Sequence, residues 1–579
     1  MRHLHKLFLS LALFVSCFGN DSYAQTVYVS KSDELINLLK QNKDYGTIVL
    51  TGSFYAIDSL DVRAGGRIVA SRGNKPVIAG VGSFLKKQNG QADGSGYWKI
   101  KLGKFSRCDY YLTDKQIHPV LISGVDSGLR NIEYHERDIK KLDQKTRKIA
   151  IPIKEEYAFL RNKDKNYFRY CTLKFSCWFI CMNVTGLYSD SNYIYGFVDA
   201  DSHYVKIGQH EYMMMYATFF NCPVRDGSAY VDGDGYLHVS NKYEEVYLSM
   251  TDMMMNLRTE RKLSFDGVRF TAAGVPIKMG NNSKNKSFYN CTFENCGTGL
   301  DIKNYVLGAD GNIVVSGCKF HHLYSNYAIY ILTMKNVLVE NNTFSHTGIL
   351  NKGGAVLQLN GPNFRIEGNV IEDFSYNGIA CGLDEKFSKN NVSGEIRGNV
   401  VDNKVRYGDA STQLYDGGGI YVYSHIDSLL IENNIIRNFG FEKGLRFGLY
   451  LDGGAYNVIS RNNLVYNMYP GQQAVHARYV LTSTKRHSSN VFENNVFVGD
   501  CRFGGNANEE VMPTVVRNNY ISGETTFAND NVDVKSNKEV NSKVSGETVY
   551  IDRRAGLRKR QFPKSIRRLL KTSKRIEKN

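Results

Sequence analysis

The chain has 579 residues, a length that allows two or three domains or one long solenoid, and a formal net charge of +16. Hydrophobic residues make up 42% of it, enough for a substantial core, which excludes a chain that is disordered throughout. Its 53 Gly, 38 Tyr and 30 Phe against only 9 Pro favour an all-β protein, because frequent turns and strand-forming aromatic residues are typical of sheets.

Residues 1–24 have the pattern of a signal peptide. A basic start at residues 2–6 precedes an apolar run over residues 7–18, and Ser22-Tyr23-Ala24 offers a small-x-small cleavage site. The apolar run is too short for a stable membrane span, and no later segment resembles one. In the alternative interpretation, Cys17 is the lipidated cysteine of a lipoprotein signal. Both interpretations predict export, to the periplasm or the outer cell surface.

Residues 25–105 are predicted to form the N-terminal cap and the first rungs of a solenoid. Residues 32–42 have helical spacing, and their apolar side chains, Leu35, Leu38 and Leu39 among them, would cover the open end of a stacked core. Short apolar runs with strand character follow this helix.

Residues 106–238 lack the repeat that follows them and carry alternating aromatic strands instead, for example over residues 193–198. Such alternation indicates strands with one buried face, so we expect an inserted β-sandwich. Cys171, Cys177 and Cys181 lie here without the paired CxxC spacing of a zinc site, and we interpret them as structural, buried thiols.

Residues 239–528 carry a three-residue motif that recurs ten times, at spacings of 23 to 35 residues. In each copy a small or polar residue stands two places before a bulky apolar one. The copies are Val268-Arg269-Phe270, Cys291-Thr292-Phe293, Cys318-Lys319-Phe320, Asn342-Thr343-Phe344, Asn369-Val370-Ile371, Asn399-Val400-Val401, Asn434-Ile435-Ile436, Asn463-Leu464-Val465, Asn495-Val496-Phe497 and Asn519-Tyr520-Ile521. Repeats of this length stack into solenoids. The predicted fold is all-β, a right-handed parallel β-helix with an inserted β-sandwich domain.

We expect the Asn that leads most copies to sit at a corner of the coil. Asn tolerates a left-handed backbone, and its amide can bond the equivalent Asn one rung away. Cys291 and Cys318 replace Asn in two copies, which indicates an inward stack of buried thiols. Ten cysteines remain if the leader is removed, so disulfides are permitted in an oxidising compartment but are not implied.

Beyond the repeats the chain is polar over residues 529–548, interpreted as a linker, and basic over residues 549–579, which hold twelve Lys or Arg and two acids. Apolar residues at helical spacing, such as Ile566, Leu569 and Leu570, would let this tail contact an anionic membrane surface or an acidic glycan. The alternative is a solvated, partly disordered tail. Export argues against a nucleic-acid partner, and we expect a monomer.

Two segments of the later rungs carry candidate catalytic residues, and aligning Ile420 with Leu449 puts their carboxylates on consecutive rungs of one face. The segments are Asp416-Gly417-Gly418-Gly419-Ile420-Tyr421 and Gly448-Leu449-Tyr450-Leu451-Asp452-Gly453. With Ile329, Ile379, Ile420, Leu449 and Val475 inward, strand alternation turns their neighbours outward. The predicted exposed row is Tyr330, Gln358, Ala380, Gly382, Asp384, Tyr421, Tyr423, His425, Tyr450, Asp452, His476 and Arg478.

This row has the composition of a sugar-binding surface, with aromatic faces for pyranose rings and polar groups for hydroxyls. Two carboxylates that flank a glycosidic bond are the minimum apparatus of most glycosidases. We predict Asp416 and Asp452 as this pair, with a separation set by a bend at Gly417-Gly418-Gly419. The competing interpretation is turn chemistry, since Asp commonly precedes Gly in turns. No nucleotide-binding loop, metalloprotease or serine-hydrolase motif is present, so neither cofactor nor metal is expected.

The two Asp segments, each followed by an Asn-Asn rung, resemble those of β-helical glycoside hydrolases of family 141 and their relatives. That family includes enzymes that act on fucosides and on xylan. Asn221-Cys222-Pro223-Val224 and residues 232–237 are also similar to the end of the family's inserted β-sandwich. The resemblance implies Asp416 and Asp452 as the catalytic pair. The chain departs from the family pattern in its compact solenoid, its third consecutive glycine and its basic tail.

Two other functions compete with a glycoside hydrolase. A polysaccharide lyase needs a base and often Ca²⁺, but the predicted row offers only Arg478 as a cation, His425 and His476 as possible bases, and few acids for calcium. A non-catalytic glycan-binding surface protein needs only the tyrosine-rich groove, since a fold does not guarantee activity.

Overall fold

The structure, a computed structural model, describes most of the solenoid and parts of an insertion. The described residues are 25–80, 83–94, 96–101, 132–135, 140–143, 145–153, 173–176, 181–189, 192–198, 216–219, 229–231, 236–248, and 251–539 with gaps at 252, 281–282, 304–308, 352, 383–391, 410–412, 424–425, 443, 454, 478–489, 505–513, 528–531 and 536. The predicted signal peptide, including Cys17, and the basic tail lie outside these residues.

Three long parallel sheets form the solenoid, and a typical rung adds one strand to each sheet in turn. The first sheet contains Thr26–Val29, Asp44–Leu50, Gly65–Ala70, Leu263–Asp266, Lys286–Tyr289, Ala309–Ser316, Met334–Glu340, Phe364–Glu367, Ser393–Arg397, Ser428–Glu432, Val458–Arg461, Val491–Glu493, Thr514–Arg517 and Val532–Lys535. The second contains Phe54–Ala56, Val77–Ala79, Arg269–Thr271, Thr292–Cys296, Lys319–Ser325, Thr343–Asn351, Val370–Glu372, Val400–Asp402, Ile435–Phe439, Leu464–Met468, Val496–Val498, Tyr520–Ser522 and Lys538–Glu539. The third contains Leu60–Val62, Met253–Leu257, Val275–Met279, Leu300–Lys303, Ile329–Leu332, Ala355–Asn360, Asn377–Cys381, Gly417–Tyr423, Arg446–Asp452, Gln473–Ala477, Asp500–Phe503 and Thr525–Phe527.

Successive rungs pair residue for residue in the register that the repeated motif predicts. The apolar residues that end the ten copies form one column of the second sheet, from Phe270 to Ile521. Within this column the rings of Phe293 and Phe320 stack with centroids 4.6 Å apart. These side chains belong to one continuous buried core beneath the three sheets. The predicted right-handed parallel β-helix is confirmed.

A helix covers the N-terminal end of this core, as predicted. It spans Ser32–Lys40 and buries Leu35 and Leu39 completely against the first rungs. At its N-terminus the carboxylate of Glu34 accepts hydrogen bonds from the backbone N–H groups of Ser30 and Lys31, which satisfies donors that a helix start leaves open. The end of the stack is thereby closed to water.

A ladder of buried Asn side chains runs along the solenoid at the corner between the first and second sheets. From Asn369 onward, each side-chain oxygen accepts the backbone N–H and the amide N–H of the Asn one rung earlier. For Asn434 these bonds come from Asn399 and are both 3.0 Å long. Its own amide donates to the Ile396 carbonyl and to Asn463. The ladder members are Asn342, Asn369, Asn399, Asn434, Asn463, Asn495, Asn519 and Asn537.

The prediction that the ladder Asn itself adopts a left-handed backbone is wrong. The positive φ belongs to the residue before it, for example Asn433 at 58° and Asn462 at 56°. Gly368 and Gly398 take the same place in two other rungs, at 65° and 64°. The preceding residue makes the turn, because the ladder Asn must keep its amide aligned with those above and below. Asn or Gly at this place lowers the cost of the left-handed conformation.

Cysteines occupy the same corner in the early rungs, and the predicted stack of buried thiols is confirmed. Cys291 and Cys318 are buried on adjacent rungs, and both thiols are free. Burial raises the pKa of Cys291 well above its usual value, and the neighbouring Cys318 thiol raises it further. The Cys291 thiol therefore stays protonated. Cys318 donates its backbone N–H to Asn342, where the amide ladder begins.

An insertion of antiparallel strands separates the first rungs from the rest. One sheet contains Ile132–His135, Lys141–Asp143, Lys148–Pro152, Leu173–Ser176, Cys181–Ser189, Tyr193–Val198 and Tyr216–Phe219. Two smaller ones contain Gln91–Ala92, Tyr97–Lys101, Ala229–Val231 and Tyr236–Ser240, and Ser83–Lys86 with Glu245–Leu248. The antiparallel strands agree with the predicted insertion. Where the chain enters and leaves the insertion, Ser83–Lys86 pairs with Glu245–Leu248. The bounds of a sandwich domain at residues 106–238 stay a prediction.

The C-terminal end of the described solenoid extends beyond residue 528. Val532–Lys535 and Lys538–Glu539 add strands to the first and second sheets, within the segment predicted as a linker. Asn537 continues the amide ladder there and bonds Asn519, which explains why this polar stretch still forms a rung. Among the described residues, no helix combines the length and apolar character that crossing a bilayer requires.

Replacing Asn434 with Ala tests the ladder. The substitution removes four hydrogen bonds and leaves buried polar groups of two neighbouring rungs unsatisfied, so we expect the free energy of unfolding to fall by roughly 2–4 kcal/mol. Urea denaturation measures this. Asn89→Ala, at an exposed position of the 3-10 helix Lys87–Asn89, is the matched control and should change stability by less than about 0.5 kcal/mol. Equal losses in the two variants would contradict a structural role for the ladder.

Candidate active site

Alternate residues of the third sheet point away from the solenoid core and form columns along its axis. The residues between them, such as Ile420 and Leu449, are completely buried, as predicted. The predicted exposure of this row is wrong at Ala380, Tyr421, Tyr450 and His476, which are buried because they pack on one another and on Phe447. The first column is Asp61, Asn256, Lys278, Asp301, Tyr330, Gln358, Ala380, Tyr421, Tyr450, His476, Arg502 and Thr526. A second column includes Lys303, Leu332 and Asn360, and further along the axis Tyr423 and Asp452.

The two candidate aspartates lie at opposite ends of neighbouring strands. Asp416 immediately precedes Gly417–Tyr423 and has a φ of 60°, whereas Asp452 ends Arg446–Asp452 before Gly453, whose φ is 57°. Both residues therefore lie at turns, as the competing interpretation expected. The predicted bend at the three glycines is wrong, because they belong to the strand and the left-handed turn falls on Asp416 itself.

Two tyrosines connect the aspartates by hydrogen bonds that cross between the rungs. Tyr421 donates to Asp452 Oδ2 at 3.1 Å, and Tyr450, its partner on the next rung, donates to Asp416 Oδ1 at 3.2 Å. The two rings meet edge to face with centroids 5.0 Å apart. Each strand thus holds the carboxylate that belongs to the other, and a shift in register would break both bonds.

Both tyrosines remain neutral donors. Burial, with the charges of Asp452 and Asp416 added to it, raises the pKa of Tyr421 well above its usual value. Burial likewise raises the pKa of Tyr450, where Asp416 is the larger of the two charge contributions. Each phenol responds to both carboxylates, so the four groups form one electrostatic cluster. A neutral donor stabilises the ionised form of the carboxylate that it contacts.

A buried arginine supports the chain segment that carries Asp416. The side chain of Arg446 is fully buried and donates from Nη1 to the Leu414 carbonyl at 3.0 Å and from Nη2 to the Tyr376 carbonyl. Tyr376 in turn donates its hydroxyl to the carbonyl of Asp416 at 3.0 Å. Charge-assisted bonds of this kind are stronger than neutral ones, so the backbone of the turn is fixed from beneath.

The third glycine of the Asp416 segment is explained by core packing. A Cβ at Gly419 would lie 2.5 Å from Ile436 Cγ2, and one at Gly448, its neighbour in the column, would lie 2.3 Å from Val465 Cγ1. A Cβ at Gly378, one rung earlier, would lie 2.7 Å from Val401 Cγ1. A glycine column thus lets the second sheet pack tightly against the strands that carry the site.

Aromatic side chains continue the site on both sides of the tyrosine pair. The ring of Tyr423 lies nearly parallel to that of Tyr421, with centroids 6.2 Å apart, and packs against Gly453. On the other side the imidazole of His476 meets Tyr450 edge to face at 5.3 Å. His476 Nδ1 lies 2.7 Å from Gln473 Oε1, which fixes the orientation of the ring.

The structure brings six of the predicted site residues together and separates the others. The six are Asp416, Asp452, Tyr421, Tyr423, Tyr450 and His476. Tyr330 and Gln358 share the column of Tyr421 but lie three and two rungs from it. Asp384, His425 and Arg478 fall outside the described residues. The roles assigned to all of these residues stay predictions.

Sequence reasoning missed several residues of this face. Tyr376 and Arg446 reach the site across turns, and no sequence pattern signals such contacts. Asp301 and Lys303 could have been found by extending the register one rung back from Tyr330, since Leu300–Lys303 pairs directly with Ile329–Leu332. Lys278 and Lys303 also correct the expectation that Arg478 is the only cation of the row.

The arrangement suits acid–base chemistry by two carboxyl groups. Asp452 keeps Oδ1 unbonded to any described residue beside an aromatic surface, while Asp416 is held at the other end of the tyrosine pair. One carboxyl group can protonate a leaving oxygen while the other attacks or activates water. Among the described residues, no group of three His, Cys, Asp or Glu side chains is arranged to hold a metal ion.

A match to one known family agrees with the fold. The family described as "Right handed beta helix region" matches residues 256–412. No curated protein matches the chain. Three solved structures are similar. A "Glycoside hydrolase" is 13% identical with a TM-score of 0.45, and the match covers 91% of this chain and 93% of that one. A complex of XylC with xylose is 13% identical with a TM-score of 0.46 and coverages of 91% and 88%, and PfbA, a surface adhesin of Streptococcus pneumoniae, is 14% identical with a TM-score of 0.32 and coverages of 50% and 86%.

Replacing Gly417 with Ala tests the support beneath Asp416. The new Cβ would lie 2.2 Å from Arg446 Nη1 and 2.8 Å from a ring carbon of Tyr376, so we expect a loss of about 1–3 kcal/mol in unfolding free energy. Gly280→Ala is the control, because a Cβ there meets no atom within 4 Å. Chemical denaturation of both variants measures the difference. A Gly417 variant as stable as the control would show that Arg446 is not held in place.

Proposed function

We propose that this protein is an exported glycoside hydrolase with Asp416 and Asp452 as its catalytic carboxylates. The observation that carries the proposal is the pair of crossed hydrogen bonds from Tyr421 to Asp452 and from Tyr450 to Asp416. Two carboxylates are thereby held at fixed positions on one face of the solenoid. Export rests on the sequence pattern of residues 1–24.

The surroundings of each carboxylate suggest its role. Each carboxylate accepts one phenol hydrogen bond, but Asp452 also retains one oxygen unbonded to any described residue, which suits a base or nucleophile that contacts a water molecule or a sugar carbon directly. Asp416 is then the acid that protonates the leaving oxygen. The ring of Tyr423, which is partly exposed and pairs with Asp452 in the strand register, supplies apolar surface on which a sugar ring can stack, whereas the ring of Tyr421 is buried beside it.

The function is tested by screening the full-length protein against xylan, pectin and mucin glycans, followed by Asp→Asn variants. We expect Asp452→Asn to lose at least about 10³-fold in kcat/KM on all substrates, roughly 4 kcal/mol of transition-state stabilisation. Asp416→Asn should lose as much on the natural glycan, yet retain most of its rate on aryl glycosides whose leaving group needs no protonation.

Asp427→Asn is the matched control, because Asp427 is exposed and lies on the turn that follows Gly417–Tyr423, just before Ser428–Glu432. It should keep wild-type activity. Full turnover by both site variants would overturn the assignment of the pair. An ultraviolet-absorbing unsaturated product would indicate a lyase instead, and a wild-type chain that binds a glycan without cleaving it would indicate a binding protein.

A further inference from the structure

A second polar pocket lies on the same face, toward the N-terminal end of the solenoid. Its walls are formed by Thr298, Asp301, Lys303, Tyr327 and Tyr330, and it is a shallow cleft, open to solvent, whose volume of about 10 Å³ has room for one water molecule or one sugar hydroxyl. Asp301 and Tyr330 are neighbours in the first outward column, and Lys303 belongs to the second column. Asp301, Lys303 and Tyr330 therefore lie on strands, where side chains are held more firmly than on loops, while Thr298 and Tyr327 lie just before these strands.

Asp301 has an unsatisfied oxygen in this pocket. The residue is 4% exposed, its Oδ2 lies 2.9 Å from Lys303 Nζ, and its Oδ1 has no hydrogen-bond partner among the described residues. A buried carboxylate oxygen without a donor costs free energy that most native sites avoid. A ligand donor that entered the pocket would remove this cost.

The other side chains indicate which ligand would supply that donor. Lys303 Nζ lies 5.3 Å from the centre of the Tyr330 ring, and that ring meets Tyr327 edge to face at 4.9 Å. Asp301 and Lys303 together are neutral and offer one acceptor and one donor side by side. Adjacent hydroxyl groups of a sugar match this arrangement, with an aromatic face for the ring.

Charged ligands fit less well. A divalent cation would have to share the Asp301 carboxylate with an ammonium group already 2.9 Å away, and it needs six or more oxygen ligands. A uronate carboxylate would face the negative charge of Asp301. The chemistry thus favours a neutral sugar residue.

The pocket and the candidate active site are aligned along the axis. Four rung-to-rung steps of about 4.8 Å separate Asp301 from Tyr421, or roughly 19 Å along one column. Gln358 and Asn360 lie on a rung between them, with Gln358 Nε2 3.2 Å from Asn360 Oδ1. One extended glycan on this face would reach both places.

We propose that the pocket formed by Asp301, Lys303, Tyr327 and Tyr330 is a distal subsite that binds a neutral sugar residue of a long glycan. The inference rests on the proposed hydrolase function, since the distal sugar and the cleaved bond belong to one chain. The subsite makes the protein selective for long chains over short oligosaccharides.

The test uses the glycan that wild-type protein cleaves in the xylan, pectin and mucin panel, divided by size from disaccharide to octasaccharide. We expect wild-type kcat/KM to rise with chain length. Asp301→Ala and Tyr330→Ala should lower kcat/KM about tenfold on the long oligosaccharides, chiefly through KM, and leave the shortest substrate unchanged. Asp427→Ala is the control. Binding of the octasaccharide by Asp452→Asn, with and without Asp301→Ala, gives the same comparison without turnover.

Outcomes separate the two proposals. If wild-type protein cleaves the glycan and chain length has no effect, or both pocket variants match wild type on long chains, the subsite is overturned and the hydrolase stands. If the panel is neither cleaved nor bound, both proposals fail. Asp301→Ala leaves Lys303 without its ion-pair partner and could prevent folding. Tyr330→Ala removes only a partly exposed ring, so this second variant tests the subsite in that case.

Discussion

The one-to-one parallel pairing between rungs is the constraint on which the rest of this structure depends. Each rung repeats the register of the one before, so a side chain's position on the surface is fixed by its place in the strand. The buried Asn ladder enforces that register at one corner, because each amide must meet the amide and the backbone N–H of its neighbour. A slip by one residue would break the ladder and turn the core outward.

The candidate site uses the same constraint. Tyr421 and Tyr450 occupy equivalent positions on adjacent strands, yet their hydroxyls bond carboxylates at opposite strand ends. A repeat alone would give identical surroundings to both residues. The turn at Asp416, supported from beneath by Arg446, breaks that symmetry and turns two copies of one motif into a site with two distinct carboxylates.

Much of this could be predicted from the sequence, because periodicity encodes register. The motif column from Phe270 to Ile521 and the outward face around Tyr421 follow directly from alternation. The left-handed turn position could not be predicted, since Asn-Asn pairs give no sign of which member turns. The hydrogen bond from Arg446 to the Tyr376 carbonyl could not be predicted either, because it joins residues of different rungs that no repeat aligns. Asp301 was missed only because the register was not extended far enough.

The central claim is that a glycan lies across the Asp416–Asp452 pair. A crystal structure of Asp452→Asn with an oligosaccharide of the glycan identified by the screen tests it most directly. We expect a sugar ring against Tyr423, with a glycosidic oxygen within hydrogen-bonding distance of Asp416. A sugar bound instead to the first or second sheet, or to the insertion, would contradict it.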